Sequence, residues 1–380
     1  MSEDSQIKVL DVRDSPWHDG PGRTIIEVAV GLRQRGIEIS VSSFVNPGIE
    51  NADYLDVARK NNLITYEIQE TSMFDKRVLE QIISICLNHN IDIIHSHEFR
   101  SNVYGLYVSR KLKLPLISTA HGWVTNNIKR KVFAVIDKLL LSFFFDKVIA
   151  VSGSVKGKIY ASIFPVNKIV TVHNALDTKQ YRIHHDGQIR RRYNIPDDVT
   201  LIAKIGRLSP EKRQANLIAI MRKLLDKGHK CCLLLIGVGP DEAKLKSLVD
   251  EFNLHDSIIF TGFIKDMQPV YSEVDLVVQA SSTEGLPNVI LESMLMRVPV
   301  IATDVGGTSE VIDSDKVGTL IPPDNDQEMF ENIERFLVKP EQFSIKLDAA
   351  ESRIREQFDS DIRLTKMADI YRSVIKPGKI

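Results

Sequence analysis

The 380-residue chain is short of cysteine, tryptophan, net charge and long apolar runs. Its three cysteines, Cys86, Cys231 and Cys232, fit no metal-ligand spacing. Two of them are adjacent in an apolar run and read as small core residues of a reducing compartment, not as a disulfide framework. The formal net charge of −1 argues against wholesale nucleic-acid binding. No apolar stretch approaches the roughly 18 residues that span a bilayer. The acidic opening MSEDSQ also lacks the basic-then-apolar order of a signal peptide. A cytoplasmic protein is therefore expected. Internal repeats and low-complexity tracts are absent as well.

What is present is an ordinary globular composition, 43% hydrophobic and 26% charged, on a chain longer than one compact core usually holds, so two domains are expected. Apolar runs alternate with helical periodicity. The first series has strands at 7–12, 37–44, 91–96, 114–120, 147–151 and 169–173, with helices at 24–36, 79–88, 103–111 and 128–145 among them. Residues 183–199 turn polar and mark a linker. A second series then begins, with strands at 200–205, 230–236, 258–260, 274–278 and 298–302, followed by late helices at 328–338, 347–358 and 361–375. This alternation is that of two parallel, doubly wound α/β domains, over residues 1–182 and 183–360.

Ligands of open parallel sheets sit at the carboxyl ends of the strands, so the residues there carry the chemistry. Arg207 and Lys212 follow the strand at 200–205. A guanidinium fork and an ammonium five residues apart suit one diphosphate. Glu284 and Glu292, with seven residues between them, bracket a loop that enters a helix at Asn288 and Val289. A helix N-terminus carries free N–H groups and suits a polyanion, whereas carboxylates suit hydroxyls. The expected ligand is part phosphate and part polyol. Gly20, Gly22 and Arg23 lie between the first strand and the first helix, where backbone can approach a phosphate. Gly237 and Gly239 form a Gly-x-Gly turn that serves equally as a tight bend. His97 and His121 end strands in the first half, and no acidic or cysteine spacing completes a metal site around them. Residues 127–147 combine Lys129, Arg130, Lys131 and Lys138 with Phe133, Phe143, Phe144 and Phe145. Such a helix packs on a sheet or lies on an anionic membrane surface.

Glu284–x7–Glu292, the Pro299-Val300-Ile301-Ala302 stretch with Gly306-Gly307, and Gly206-Arg207…Lys212 together resemble the signature of glycosyltransferase family 4. The resemblance covers almost the whole chain and is most specific from Gly206 to Gly307. It implies the GT-B architecture: two Rossmann-like domains facing each other across a cleft, with a C-terminal helix (about 361–380) crossing back to the first. It implies a retaining, hexosyltransferase-type enzyme that takes a nucleoside-diphosphate sugar, with UDP the favoured base, and needs no metal or other cofactor. Arg207 and Lys212 would hold the pyrophosphate, Glu292 the ribose and Glu284 the donor sugar, while His121 lines the reacting centre. Gly206, Gly237, Gly239, Gly262, Phe263, Ile264, Gly285, Leu286 and Asn288 would line the nucleotide side, with Gly20 and Gly22 near the phosphates. Arg23, His97 and Asn174 fall on the acceptor side.

Two departures from the family pattern stand out: Gly20-Pro21-Gly22 replaces a Gly-Gly pair, and Ala175 replaces a glycine. The implied acceptor is a glycan or a lipid-linked glycan in polysaccharide or glycolipid synthesis, with residues 127–147 as a possible peripheral membrane contact. The competing readings are a GT-B nucleotide-sugar epimerase, which consumes donor without acceptor, and a non-catalytic sugar-nucleotide-binding partner.

Overall fold

A computed structural model describes residues 6–46, 48, 52–123, 128–160, 168–184 and 186–375. It contains two compact units, Met1–Asn174 with Asp361–Ile380, and Ala175–Ser360.

In the first unit β1 (Ile7–Arg13), β2 (Ile37–Val45), β3 (Thr65–Gln69), β4 (Ile93–Ser96), β5 (Leu116–Ala120), β6 (Lys147–Ala150) and β7 (Ile169–Thr171) form one sheet in the order β3-β2-β1-β4-β5-β6-β7. All of its pairings are parallel. The strand order turns back at β1, between β2 and β4, and this switch point places Asp11 opposite His95. The inner strands are apolar runs because helices cover both faces of a parallel sheet.

The helix Gly20–Arg33 begins four residues before its expected start. Asp19 caps it by accepting from Gly22 N–H at 3.0 Å, and Pro21 occupies the first turn. Gly20, Gly22 and Arg23 are therefore first-turn helix residues, and the Gly22 amide is already engaged by the Asp19 side chain.

The last helix, Ser360–Val374, belongs from Asp361 onward to this first unit. Its residues Leu364, Met367, Ala368 and Tyr371 recur at helical spacing, so one apolar face enters the core of β1, β2 and the first helix. Residues 376–380 of the expected C-terminal segment lie outside the described residues.

The second unit holds β8 (Thr200–Ile205), β9 (Cys231–Ile236), β10 (Ile258–Gly262), β11 (Leu276–Gln279), β12 (Val300–Thr303) and β13 (Thr319–Ile321), again parallel, in the order β10-β9-β8-β11-β12-β13. Cys231 and Cys232 are buried, free thiols in β9, and burial pushes Cys231 up to about 12.

The units part between Asn174 and Ala175, earlier than the polar run at 183–199 suggested. Leu176 exchanges backbone bonds with Phe358 (2.9 Å) and Ser360 (2.8 Å), and the Arg182 amide donates to Gln268 at 2.8 Å, tying residues 175–182 to the second unit. Sequence polarity tracked solvent exposure, and these bonds set the boundary. The periodicity also missed β3 and β13. Both are edge strands: β3 is largely half-exposed and polar, and β13 has three residues.

Leu364 is buried against the helix Gly20–Arg33, where a Cβ on Gly31 would come within 2.8 Å of its Cδ2. Leu364→Ala is expected to cost about 2–5 kcal/mol. It should lower the urea midpoint of the first unit without altering the slope, and an unchanged midpoint would show that this helix does not stabilise the core.

Candidate active site

Parallel strands deliver their carboxyl ends to one edge, and in the second unit that edge gathers the expected donor residues. The Gly206 amide donates to Ile236 at 2.9 Å and the Gly237 amide to Gly262 at 2.9 Å, so the turns after β8, β9 and β10 are knitted together. Gly237 has φ +135°, and a Cβ there would collide with the Gly206 carbonyl. The Lys212 stem passes Gly206, and its Nζ donates to Glu284 Oε1 at 2.6 Å. Gln279 Nε2 donates to the same oxygen at 2.7 Å. Gly306, at φ +62°, lies so close to the Glu284 carbonyl that any Cβ would clash. The Gly307 amide bonds the Gly285 carbonyl at 2.7 Å. The Gly306-Gly307 pair thus fixes the loop that carries Glu284.

Arg207 differs from Lys212. Its side chain is exposed and makes no hydrogen bond or ion pair among the described residues, although its carbonyl accepts from Gln214 at 2.8 Å. It is a free cation beside a paired one. Gly239 abuts Leu208, Leu286 is buried, and Asn288 opens the helix Asn288–Leu295. Phe263 is 62% exposed, and Ile264 packs partly against the core.

Glu292 stands apart from Glu284. It is 4% exposed, with Oε1 accepting from Tyr181 at 3.3 Å and Oε2 from Tyr271 at 2.7 Å. Burial alone would raise the Glu284 carboxyl. Lys212, by charge and hydrogen bond, and Lys204, by charge, outweigh it and hold that carboxyl below its ordinary value.

Lys204 was not expected to matter. It lies inside β8, 1% exposed, and its ammonium donates to Gln279 Oε1 and, at 3.4 Å, to Ser281. One polar residue in an apolar strand run, TLIAKI, was the only signal. Burial, helped by the Lys212 charge and opposed by Glu284, lowers its ammonium to about 7. The sign of its effect on stability follows. Between about 7 and the ordinary 10.5 the unfolded chain holds a proton that the folded chain lacks, so this group makes stability rise with pH across that window. The melting temperature of wild type relative to Lys204→Met is therefore expected to climb from about pH 7 to 9.5. A pH-independent difference would show that Lys204 is not perturbed.

In the first unit the histidines have the acidic partner that sequence spacing did not offer. Asp11 arrives from β1, 86 positions before His97, and its Oδ2 lies 2.7 Å from His97 Nε2. His97 Nδ1 lies 3.1 Å from His121 Nε2. Residues two apart on a strand share a face, so His95 with His97, and Thr119 with His121, all reach one buried layer. His95 spends its two nitrogens on Tyr371 (2.7 Å) and Thr119 (2.9 Å). Ligand atoms of Asp11, His95 and His97 lie within 4.8 Å of one another, a cation-like spacing. Each nitrogen already has a protein partner, however, so the trio is a hydrogen-bonded network. Asn174 lines the same small cavity as His97 and His121. Arg23 stands outside this cluster and pairs with Glu27 at 2.9 Å.

Two family profiles divide the chain between them. Glycosyltransferase Family 4 matches residues 18–180, and Glycosyl transferases group 1 matches residues 186–352. The chain belongs to the family 4, group 1 glycosyltransferases, and it is an enzyme of that class. The N-acetyl-alpha-D-glucosaminyl L-malate synthase of Bacillus anthracis is 24% identical over 96% of this chain and 96% of its own length. The alpha-monoglucosyldiacylglycerol synthase of Streptococcus pneumoniae is 26% identical over 76% of this chain and 68% of its own. The structure of Anabaena HepE with UDP-glucose superposes at TM-score 0.87 with 19% identity, over 97% of this chain and all of that one. This likeness establishes the GT-B fold class.

Proposed function

We propose that the enzyme is a retaining hexosyltransferase that moves a sugar from a UDP-sugar to a lipid-linked or glycan acceptor. The observation that carries this reading is the free Arg207 guanidinium beside the Lys212–Glu284 pair, at the carboxyl edge of the second sheet. A diphosphate brings the negative charge that Arg207 lacks. Lys212 has three N–H donors and can hold Glu284 with one while giving another to phosphate. Glu284, kept ionised, accepts from donor-sugar hydroxyls. Glu292, held by Tyr181 and Tyr271, takes the ribose hydroxyls by giving up its longer bond, the one to Tyr181. The donor base is taken as uracil because HepE was solved with UDP-glucose.

In the reaction, the bond from C1 of the sugar to phosphate oxygen breaks with its electron pair going to the phosphate. The acceptor oxygen bonds C1 on the same face, and its proton passes to the departing phosphate oxygen. Arg207 and Lys212 neutralise the growing phosphate charge, which lets the transfer proceed without a divalent ion. Arg207 is exposed and unpaired, so Arg207→Ala should leave folding intact while lowering kcat by about 100-fold, the usual scale for one oxyanion donor. Lys212→Met with Arg207→Ala should abolish turnover. UDP-sugars should raise the melting temperature more than GDP- or ADP-sugars, and EDTA should not change the shift. Full turnover in the double variant would overturn the diphosphate assignment, and loss of the shift in EDTA would overturn the metal-free clamp.

The helix Ile128–Phe144 supports an acceptor held at a membrane surface. Asn127, the first residue of the expected basic segment, lies outside the described residues. Ile128, Val132, Val135, Ile136, Leu139 and Phe143 recur on one helical face and are exposed, up to 81% at Ile128. Lys129, Lys131 and Lys138 flank that face. An apolar stripe bordered by cations fits an anionic lipid surface, and the Streptococcus pneumoniae relative is named for a glycolipid product. Among the described residues no helix is long and apolar enough to cross a membrane. The protein is therefore expected to sediment with vesicles containing phosphatidylglycerol and not with pure phosphatidylcholine. Val135→Glu with Phe143→Glu should abolish that binding while donor-induced stabilisation persists. Wild-type protein that stays in the supernatant with anionic vesicles would overturn membrane docking.

A further inference from the structure

The Asp11–His97–His121 chain is more than a packing arrangement. Each link is within hydrogen-bond distance, 2.7 Å and then 3.1 Å, and the two imidazoles lie within 24° of coplanar, so their in-plane nitrogens face each other. A neutral imidazole has one N–H and one lone pair. Once the proton on one nitrogen of His97 is assigned, the state of every other nitrogen in the chain is assigned too. His121 Nδ1 is the open end: His121 is half-buried, and this nitrogen has no partner among the described residues.

We infer that Asp11, His97 and His121 form a proton-coupled tautomer relay that decides whether His121 presents a hydrogen-bond acceptor or a donor at Nδ1. With Asp11 ionised, its Oδ2 accepts from His97 Nε2–H, His97 Nδ1 accepts from His121 Nε2–H, and His121 Nδ1 carries a lone pair. With Asp11 protonated, Oδ2–H donates to His97 Nε2, His97 Nδ1–H donates to His121 Nε2, and His121 Nδ1–H points outward. One proton is gained at the carboxyl and two change sides on the rings, and no imidazolium forms.

The surroundings make both states reachable near neutral pH. Burial raises the Asp11 carboxyl to about 7, against the charges of His95 and Arg13. Burial lowers His97 and His121 to about 3, so both rings stay neutral while Asp11 titrates. The groups facing Asp11 are His97, Arg13 on its own strand, Tyr54, Tyr371 and His95, whose Nδ1 is 3.9 Å away. Its second oxygen, Oδ1, is buried without a hydrogen-bond partner among the described residues, and Asp11 lines a cavity of about 30 Å³ with Thr24 and with Arg363, whose Nη2 is paired with Glu27. Facing His121 are His97, Arg13 and Asp19. Glu98 is also raised, by burial, to about 8, but it bonds Arg13 Nε at 3.2 Å and not the relay.

The consequence for catalysis rests on the role that the family resemblance implies for His121, lining the reacting centre against the transferred sugar. On that reading a lone pair at Nδ1 accepts from a sugar hydroxyl, which an N–H there cannot do. The form with Asp11 ionised is thus the productive one, and Asp11 and His97 act as positioning residues.

The test is nitrogen-15 NMR of the full chain labelled at histidine, because the shifts of the two imidazole nitrogens report tautomer directly. Between pH 5.5 and 8.5, His97 and His121 are expected to exchange tautomers together with one midpoint near 7. Asp11→Asn should hold both in one tautomer throughout, and Glu98→Gln should leave the midpoint in place. Should Asp11→Asn fail to fold, His97→Gln provides the second arm and should remove the pH dependence of His121. Tautomers that stay fixed in wild type, or a midpoint that survives Asp11→Asn, would overturn the relay. Turnover separates the two readings. Under both, kcat rises as pH passes 7 in wild type and loses that limb in Asp11→Asn, while His121→Asn is slow at every pH. A fully active His121→Asn would refute the sugar contact alone, and fixed tautomers with an inactive His121→Asn would refute the relay alone.

Discussion

Every strand pair in both sheets is parallel, and this constraint organises the rest of the molecule. A parallel strand must be followed by a return across the sheet face, so all carboxyl ends fall on one edge with a connecting loop at each. Residues distant in the chain meet there without any local signal that they should. Lys212 reaches Glu284 across 72 positions, and Asp11 reaches His97 across 86. The same geometry buries the inner strands on both faces, and their polar residues must then find partners inside. Asp11, His95 and Lys204 all do so.

The two units solve the electrostatics of burial in different ways. In the second, Glu284 stays ionised because Lys212 and Lys204 outweigh the desolvation of its carboxyl. In the first, burial wins: three histidines are pushed toward neutrality, and the Asp11 carboxyl is lifted toward physiological pH. The second unit therefore keeps a paired, fixed charge at its edge, whereas in the first the Asp11 carboxyl is a group whose charge changes near neutral pH. The cost of burying an ion scales with how poorly it is paired, and that distinguishes Lys212–Glu284 from Asp11 among neutral rings.

Helix ends matter as much as strand ends. The Gly20-Pro21-Gly22 sequence, expected as a loop, is the first turn of a helix, and Asp19 caps it by accepting from the Gly22 amide. The last helix closes the first core through Leu364, Met367, Ala368, Ile370 and Tyr371, and Tyr371 also bonds His95 beside the histidine relay. Chain that follows the second unit in sequence thus completes the polar interior of the first.

Much of this was legible before folding. Hydrophobic runs located the inner strands of both sheets to within a few residues, because a strand buried on both faces is largely apolar. Arg207, Lys212, Glu284 and Glu292 were singled out as candidates from their positions at strand and helix ends, and Gly206 from the family resemblance. The edge strands β3 and β13 were not legible, because a half-exposed or very short strand needs no apolar run. Nor were the partners: that Lys212 holds Glu284, that Glu292 sits between two tyrosines, that Lys204 is buried, and that Asp11 completes the histidine cluster. Sequence alone determined the order of the inner strands and which candidate side chains stand at their carboxyl ends, since both follow from local pattern. Tertiary structure alone decided which of those side chains touch and which protons they hold, since both depend on distances and burial that arise only when strands far apart in the chain lie side by side.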